Sequence, residues 1–307
     1  MRITKKELAA YAGMALITII TGLSFIFMKF ALRYTNPIDL LAHRFSSAFI
    51  VIVLLQLTGL VKAPRFTKEN LGSLLLLALF YPVLFFLLQT FGVKYSTASE
   101  AGIIFAITPV LTMVSAMIFL KEKTSLIQKL GIILSVLGIF YIIFKTGNTG
   151  GETDPKGLIL LLLSVISIVA YYTFGKKRGT NFSPVNLTIL MTYLAFVFFN
   201  AWSLINHWHE GTISLFFEPL KETGFLIPVL YLGILSSLLT SFLSNFALTA
   251  ISASSIAVFN NLSPLVSIAG GIIILHETLF VYHVIGGIMV LTGIIATIAY
   301  KGKNKLQ

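Results

Sequence analysis

Runs of about twenty residues without a single Asp, Glu, Lys or Arg recur along the chain; residues 101–120, 157–174 and 278–300 are three of them. A run of that length, wound as a helix, matches a hydrocarbon layer roughly 30 Å thick. Inside such a layer the backbone must pair its own N–H and C=O groups, which selects helices for runs that lack strand-like alternation. Composition agrees: 57% of the 307 residues are hydrophobic and 11% are charged, whereas an average soluble domain is about one-quarter charged. A water-soluble globule is excluded. Ten crossings take roughly 200 residues, leaving short loops and tails and no room for a soluble domain.

Apolar windows give spans near 9–32, 39–58, 71–91, 98–119, 126–144, 157–174, 186–205, 225–246, 253–274 and 280–299. Turn and breaker residues fall between them, among them Thr35-Asn36-Pro37, Lys62-Ala63-Pro64-Arg65 and Asn181-Phe182-Ser183-Pro184. The first run, Leu8 to Leu32, is too long for the apolar core of a signal peptide and reads as a retained helix. Fourteen cations gather on one side: Arg2, Lys5 and Lys6, the loop with Lys62, Arg65 and Lys68, then Lys121 and Lys123, Lys176 to Arg178, and the tail lysines. Five gather on the other: Arg33, Lys94, Lys145, Lys156 and Lys221. That asymmetry predicts a multi-pass cell-membrane protein with both termini in the cytoplasm. It also accounts for the net charge of +11 without a nucleic-acid partner, which would need the cations clustered on one folded surface. With no Cys in the chain, disulfides, thiolate nucleophiles and Cys-based zinc sites are excluded.

The chain repeats itself. A shift of 155 aligns Thr97-Ala98-Ser99 with Ser252-Ala253-Ser254, Pro109 with Pro264, Glu122 with Glu277, Gly131 with Gly286 and Gly138 with Gly293; a shift of 147 pairs Lys29 with Lys176 and Pro37 with Pro184. The expected architecture is therefore an all-α integral membrane protein of ten transmembrane helices, in two five-helix halves, 1–150 and 151–307. Five being odd, the second half enters from the opposite side, so the repeats are inverted, as in many secondary transporters with a midplane site between halves.

Thr21-Gly22-Leu23-Ser24 through Lys29, Pro37 through Ala48 with Arg44-Phe45, and Tyr231-Leu232-Gly233 through Asn245, followed by Ile251-Ser252-Ala253, Pro264, Glu277 and Gly286, resemble the drug/metabolite transporter superfamily, specifically its EamA-type ten-helix permeases. Thr21 stands where that family often has Trp. The resemblance implies a permease exchanging small metabolites by alternating access, read here as an exporter of amino acids or related amphipathic compounds, with an importer of the same class as the alternative.

Intramembrane charge usually faces the bundle interior and marks function. Lys29 either snorkels to the interface or faces inward to pair an acid or a substrate carboxylate. Asp39, His43, Arg44 and Glu100 fall on the same outer side. Arg44 is expected to form a structural or gating ion pair, with Glu100 or Asp39 as partner. Glu100 either caps its helix or couples transport to protons, with His43 a second titrating candidate. Glu122 and Glu277 are expected to tie their helices to the next one, and Pro109 and Pro264 to bend theirs or act as hinges. Mid-span polar residues are the substrate-contact candidates: Ser24, Tyr81, Gln89, Tyr171, Tyr172, Ser236, Ser237, Thr240, Asn245, Asn260 and Asn261. Small residues at Ala98, Gly102 and Ala106, and at Gly131 and Ser135, suit close helix packing or a homodimer contact. His207-Trp208-His209-Glu210 has only a superficial metal spacing, no phosphate-binding loop is present, and no metal or cofactor is expected. A membrane-embedded enzyme, using Asp39, His43 and Glu100, and a receptor are the competing readings.

Overall fold

The computed structural model describes residues 4–64, 68–119, 121, 124–148, 154–178, 184–251, 259 and 262–299. Among these residues everything regular is helical. Helix α1 (Lys5–Ala31) opens on a capping box in which Thr4 and Glu7 satisfy each other's backbone amides. Helix α2 (Pro37–Leu57) opens on Asn36, whose side chain accepts from the amides of Ile38 and Asp39, with Pro37 at the first position, where its missing N–H costs nothing. Helices α3 (Lys68–Ala78) and α4 (Phe85–Tyr95) are joined through a π-helical turn, Leu79–Leu84. Next come α5 (Ala98–Ala106) and α6 (Thr108–Phe119), α7 (Leu126–Asn148), α8 (Pro155–Arg178) and α9 (Pro184–Glu210). After α10 (Ile213–Phe217) and a short 3-10 turn, α11 (Thr223–Leu230) continues through a second π stretch, Tyr231–Leu239, into α12 (Thr240–Leu248). Helices α13 (Ser263–Leu275) and α14 (Val281–Ala299) complete the set.

Eight of the described helical segments are long and apolar enough to cross a membrane, and two further apolar helices are shorter, Ser263–Leu275 and Val281–Ala296. The chain is thus a multi-pass all-α membrane protein. Two boundaries differ from the sequence expectation. Helix α9 runs on to Glu210 because its last turns are held by side chains: Ser203 and His207 both bond Asp39 of α2. The stretch 206–224, expected as a loop, carries α10, whose Phe216 is buried against His43. The ninth span, expected at 253–274, begins among residues outside those described, and α13 covers its second part.

Small residues set the closest helix crossings. A Cβ on Gly102 would lie 3.0 Å from the Pro264 carbonyl and 2.9 Å from Ser267 Cβ, so α5 and α13 pack nearly backbone to backbone, sealed by Ser267 Oγ donating to Ala98 O at 2.7 Å. Helices α7 and α14 do the same: a Cβ on Gly138 would meet Gly286 O at 2.8 Å, and one on Gly293 would collide with Gly131 O. Ser135 Oγ donates to Val290 O at 3.1 Å. Both small-residue stripes read from the sequence therefore face partners inside the same chain.

Candidate functional site

Arg44 lies eight residues into α2, about 10 Å along the helix axis, and only 3% of its surface is exposed. Its Nε and Nη2 donate to Ser237 Oγ at 3.3 and 3.2 Å, and its guanidinium lies 4.3 Å from the Phe86 ring centroid. Ser237 reaches it because Gly233, one turn earlier in the second π stretch, lets that stretch press on α2: a Cβ there would come within 2.5 Å of the Arg44 carbonyl. Tyr81 lies within electrostatic reach of both Arg44 and Tyr172. The backbone of Tyr81 leaves the helix (φ −143°, ψ 116°) inside the first π turn, a break of the kind often found at functional sites. Its ring centroid lies 5.2–5.4 Å from those of Phe85, Phe86 and Tyr171, and Tyr171 neighbours Tyr172, which is 51% exposed. The guanidinium thus meets one aromatic face, Phe86, and one hydroxyl, Ser237, with Tyr81 within electrostatic reach and the Tyr171 ring packed behind Tyr81. The expected Arg44 pair with Glu100 or Asp39 is not formed, because both acids are engaged elsewhere.

Asp39, 4% exposed, accepts from Asn36 Nδ2 at 2.7 Å and His207 Nε2 at 2.9 Å, and from the Ser203 hydroxyl. His207 Nδ1 in turn pairs with Thr212 Oγ1 at 2.7 Å. His43 donates from Nε2 to Phe216 O at 2.8 Å and stacks on the Phe216 ring. Glu100 closes the α5 capping box with Thr97 and accepts from His283 Nε2 at 3.1 Å. The Phe280 amide donates to His283 Nδ1, which leaves the proton of a neutral imidazole on Nε2, facing the carboxylate. Glu277 accepts from Ala98 N (2.6 Å), Ser99 N (2.9 Å) and Ser99 Oγ (2.7 Å). It therefore ties α13 to the start of α5, not to the following helix as expected, because α5 offers unpaired amides at its N-terminus. Lys29, in the last turn of α1, lies within electrostatic reach of Glu277 and Glu100.

The other described sequence candidates make no hydrogen bond to Arg44. Ser24 donates to Thr21 O and Thr240 to Ser236 O, each within its own helix. Gln89 is buried on α4, one turn from Phe86 and on its face. Pro109 opens α6 just after the helix breaks at Ile107, and Pro264 opens α13. Glu122, Asn260 and Asn261, and the side chain of Asn245, lie outside the described residues. Sequence reasoning missed His283, Ser203 and Phe86. His207 was visible only as a weak metal pattern, and only the fold brings it to Asp39, 168 residues away.

A helical, multi-pass bundle with close small-residue crossings and a polar centre enclosed by its helices is the build of a membrane transporter. The pattern of the EamA-like transporter family matches residues 8–144 and again 155–299, and the chain belongs to that family. It is 41% identical over 292 residues to the uncharacterized transporter YcxC of Bacillus subtilis (strain 168), covering 95% of this chain and 93% of that one. It is 27% identical to Protein PagO of Salmonella typhimurium over 59% of each chain. A protein of known crystal structure shares the fold, with a TM-score of 0.58 at 14% identity over 100% of this chain and 99% of that one.

Proposed function

We propose that the chain is a secondary transporter of the cell membrane that exports amino acids or related amphipathic compounds, alternating access between two inverted five-helix halves, with both termini cytoplasmic. The observation that carries the reading is a reciprocal pair of contacts. Gly131 and Gly138 in the first half correspond to Gly286 and Gly293 in the second; Gly138 packs on Gly286, and Gly131 on Gly293. Each glycine thus meets the counterpart of the other, the pattern a two-fold axis generates, and such an axis in the membrane plane relates inverted repeats. The double family match over 8–144 and 155–299 supports the same division.

In this reading the substrate binds against Arg44, Tyr81, Tyr171, Tyr172 and Ser237, while Gln89 and the Asn245, Asn260 and Asn261 carboxamides supply further polar contacts. Protons are the coupling ion, with Glu100 exchanging its His283 bond for a proton during the cycle. The test is flux into proteoliposomes of pooled amino acids, nucleosides and aromatic amines, with and without a pH gradient. Flux of the amino-acid pool that responds to the gradient, and loses that response in E100Q, is the expected result. Gradient-driven flux unchanged in E100Q removes Glu100 from coupling; no flux of any pool overturns the transporter reading.

A further inference from the structure

Among the described residues, three carboxylates meet the buried polar ends of the helices, and each already has its partners: Asp39 holds His207 and Ser203, Glu100 holds His283 and Thr97, and Glu277 holds the start of α5. Lys29 lies within electrostatic reach of two of these carboxylates, and Arg33, exposed just past the end of α1, lies over the Phe30 ring. Arg44 has no such counterpart. Among the described residues no carboxylate comes within ion-pairing distance of it, and Ser237 Oγ is its one hydrogen-bond acceptor. A guanidinium carries five N–H donors and keeps its charge at any physiological pH. Holding it in the interior of a membrane-spanning bundle without a counter-ion is costly, and a ring face with one hydroxyl offsets that only in part. Nη1 has no acceptor here and is not sealed from its surroundings, so the residual 3% exposure of Arg44 reaches this atom.

We propose that Arg44 is the anion-binding centre of the transport site, and that its ligand is the carboxylate of a solute whose aromatic body lies against Tyr81 and Tyr171. The inference rests on the transporter reading and narrows its substrate class. A carboxylate supplies the two coplanar oxygens that a guanidinium edge binds in bidentate fashion. The Tyr81 and Tyr171 rings, 5.2 Å apart at a tilt of 43°, offer edges and faces to a flat body. A cationic amine of the same shape is repelled by the unopposed charge, and an alcohol gains no charge-assisted bond.

The test is calorimetric binding to the purified full-length chain in detergent, using five probes. Four share one phenyl body and differ in charge: 3-phenylpropionate, L-phenylalanine, phenethylamine and 3-phenylpropanol. Hexanoate carries the carboxylate on a lipid-like chain without the ring. Binding of 3-phenylpropionate and L-phenylalanine at least tenfold tighter than of the amine, the alcohol and hexanoate is the expected result. R44Q is expected to weaken 3-phenylpropionate about 10- to 100-fold, and R44K less, since it keeps the charge and loses the fork. Amine or alcohol binding as tight as the carboxylates, or a folded R44Q with unchanged affinity, overturns the proposal. Hexanoate equal to 3-phenylpropionate overturns the aromatic part and assigns the site to a fatty-acid carboxylate. If R44Q does not fold, the wild-type charge series decides alone. Flux of phenethylamine without flux of either ring carboxylate leaves a transporter and refutes this substrate class, whereas absent flux of every solute refutes the transporter itself.

Discussion

Removing the Glu277 carboxylate tests how α13 is fastened to α5. It accepts three hydrogen bonds, two from the first amides of α5 and one from Ser99 Oγ. Ala98 and Ser99 are fully buried, so neither amide finds water when the acceptor is lost. An unsatisfied buried donor costs about 1–3 kcal/mol, so E277A is expected to weaken this end of the bundle by about 2–4 kcal/mol, and E277Q, which keeps an acceptor oxygen and loses the charge, by about 1–2 kcal/mol. If alternating access opens this end, the same energy shifts its closed-to-open ratio by roughly thirty- to several-hundred-fold. The chain has no native cysteine, so S96C introduces a single thiol at a site 1% exposed, one residue before the Thr97 cap. Maleimide labelling of S96C is expected to be slow in the parent and at least tenfold faster with E277A, with E277Q in between. A second thiol at Leu77, fully buried elsewhere, should stay protected, which separates local opening from global unfolding. Unchanged labelling of S96C together with an unchanged thermal midpoint would refute the fastening.

D39N is expected to destabilise the chain by about 2–4 kcal/mol, since Asp39 accepts from four side chains in a buried setting. A double-mutant cycle of D39N with H207A in thermal or denaturant unfolding should give a coupling above about 1 kcal/mol, and zero coupling would deny the pair. G138A should cost about 1–3 kcal/mol, because its new methyl meets the Gly286 carbonyl at 2.8 Å. G287A has nothing within 4 Å of the added methyl and should be neutral or slightly stabilising. Equal midpoints for the two would refute backbone-level packing of α7 on α14.

The membrane-spanning pattern was legible because it is local: an apolar run of twenty residues declares itself without knowledge of its neighbours. The caps were legible too, since Asn36-Pro37 and Thr97 to Glu100 carry their own partners within four residues. The breaks were not. The π turn at Tyr81 lies inside an apolar run whose one local mark is Pro82, and the shape of the break is set by how α4, α8 and α9 pack around it, with Ser167 of α8 donating to the Phe80 carbonyl. Pairings between distant residues were hidden for the same reason. Arg44 calls for an acid by charge alone, yet the acids nearest in type are taken by His207 and His283, and its actual neighbours, Phe86 and Ser237, come from helices that only tertiary packing brings together. Glu277 was expected to act on the next helix and instead serves one 178 residues earlier.

The central claim, a carrier whose two halves exchange access to one site, is tested most directly by counterflow. Proteoliposomes holding the purified chain are loaded with unlabelled solute, the one with the highest flux in the pooled screen, and then diluted into a trace of the same solute carrying a radiolabel. Alternating access predicts a transient accumulation of label inside above its equilibrium level, driven by outward exchange of the unlabelled pool. A rise to equilibrium with no overshoot, as through an open pore, would contradict the account.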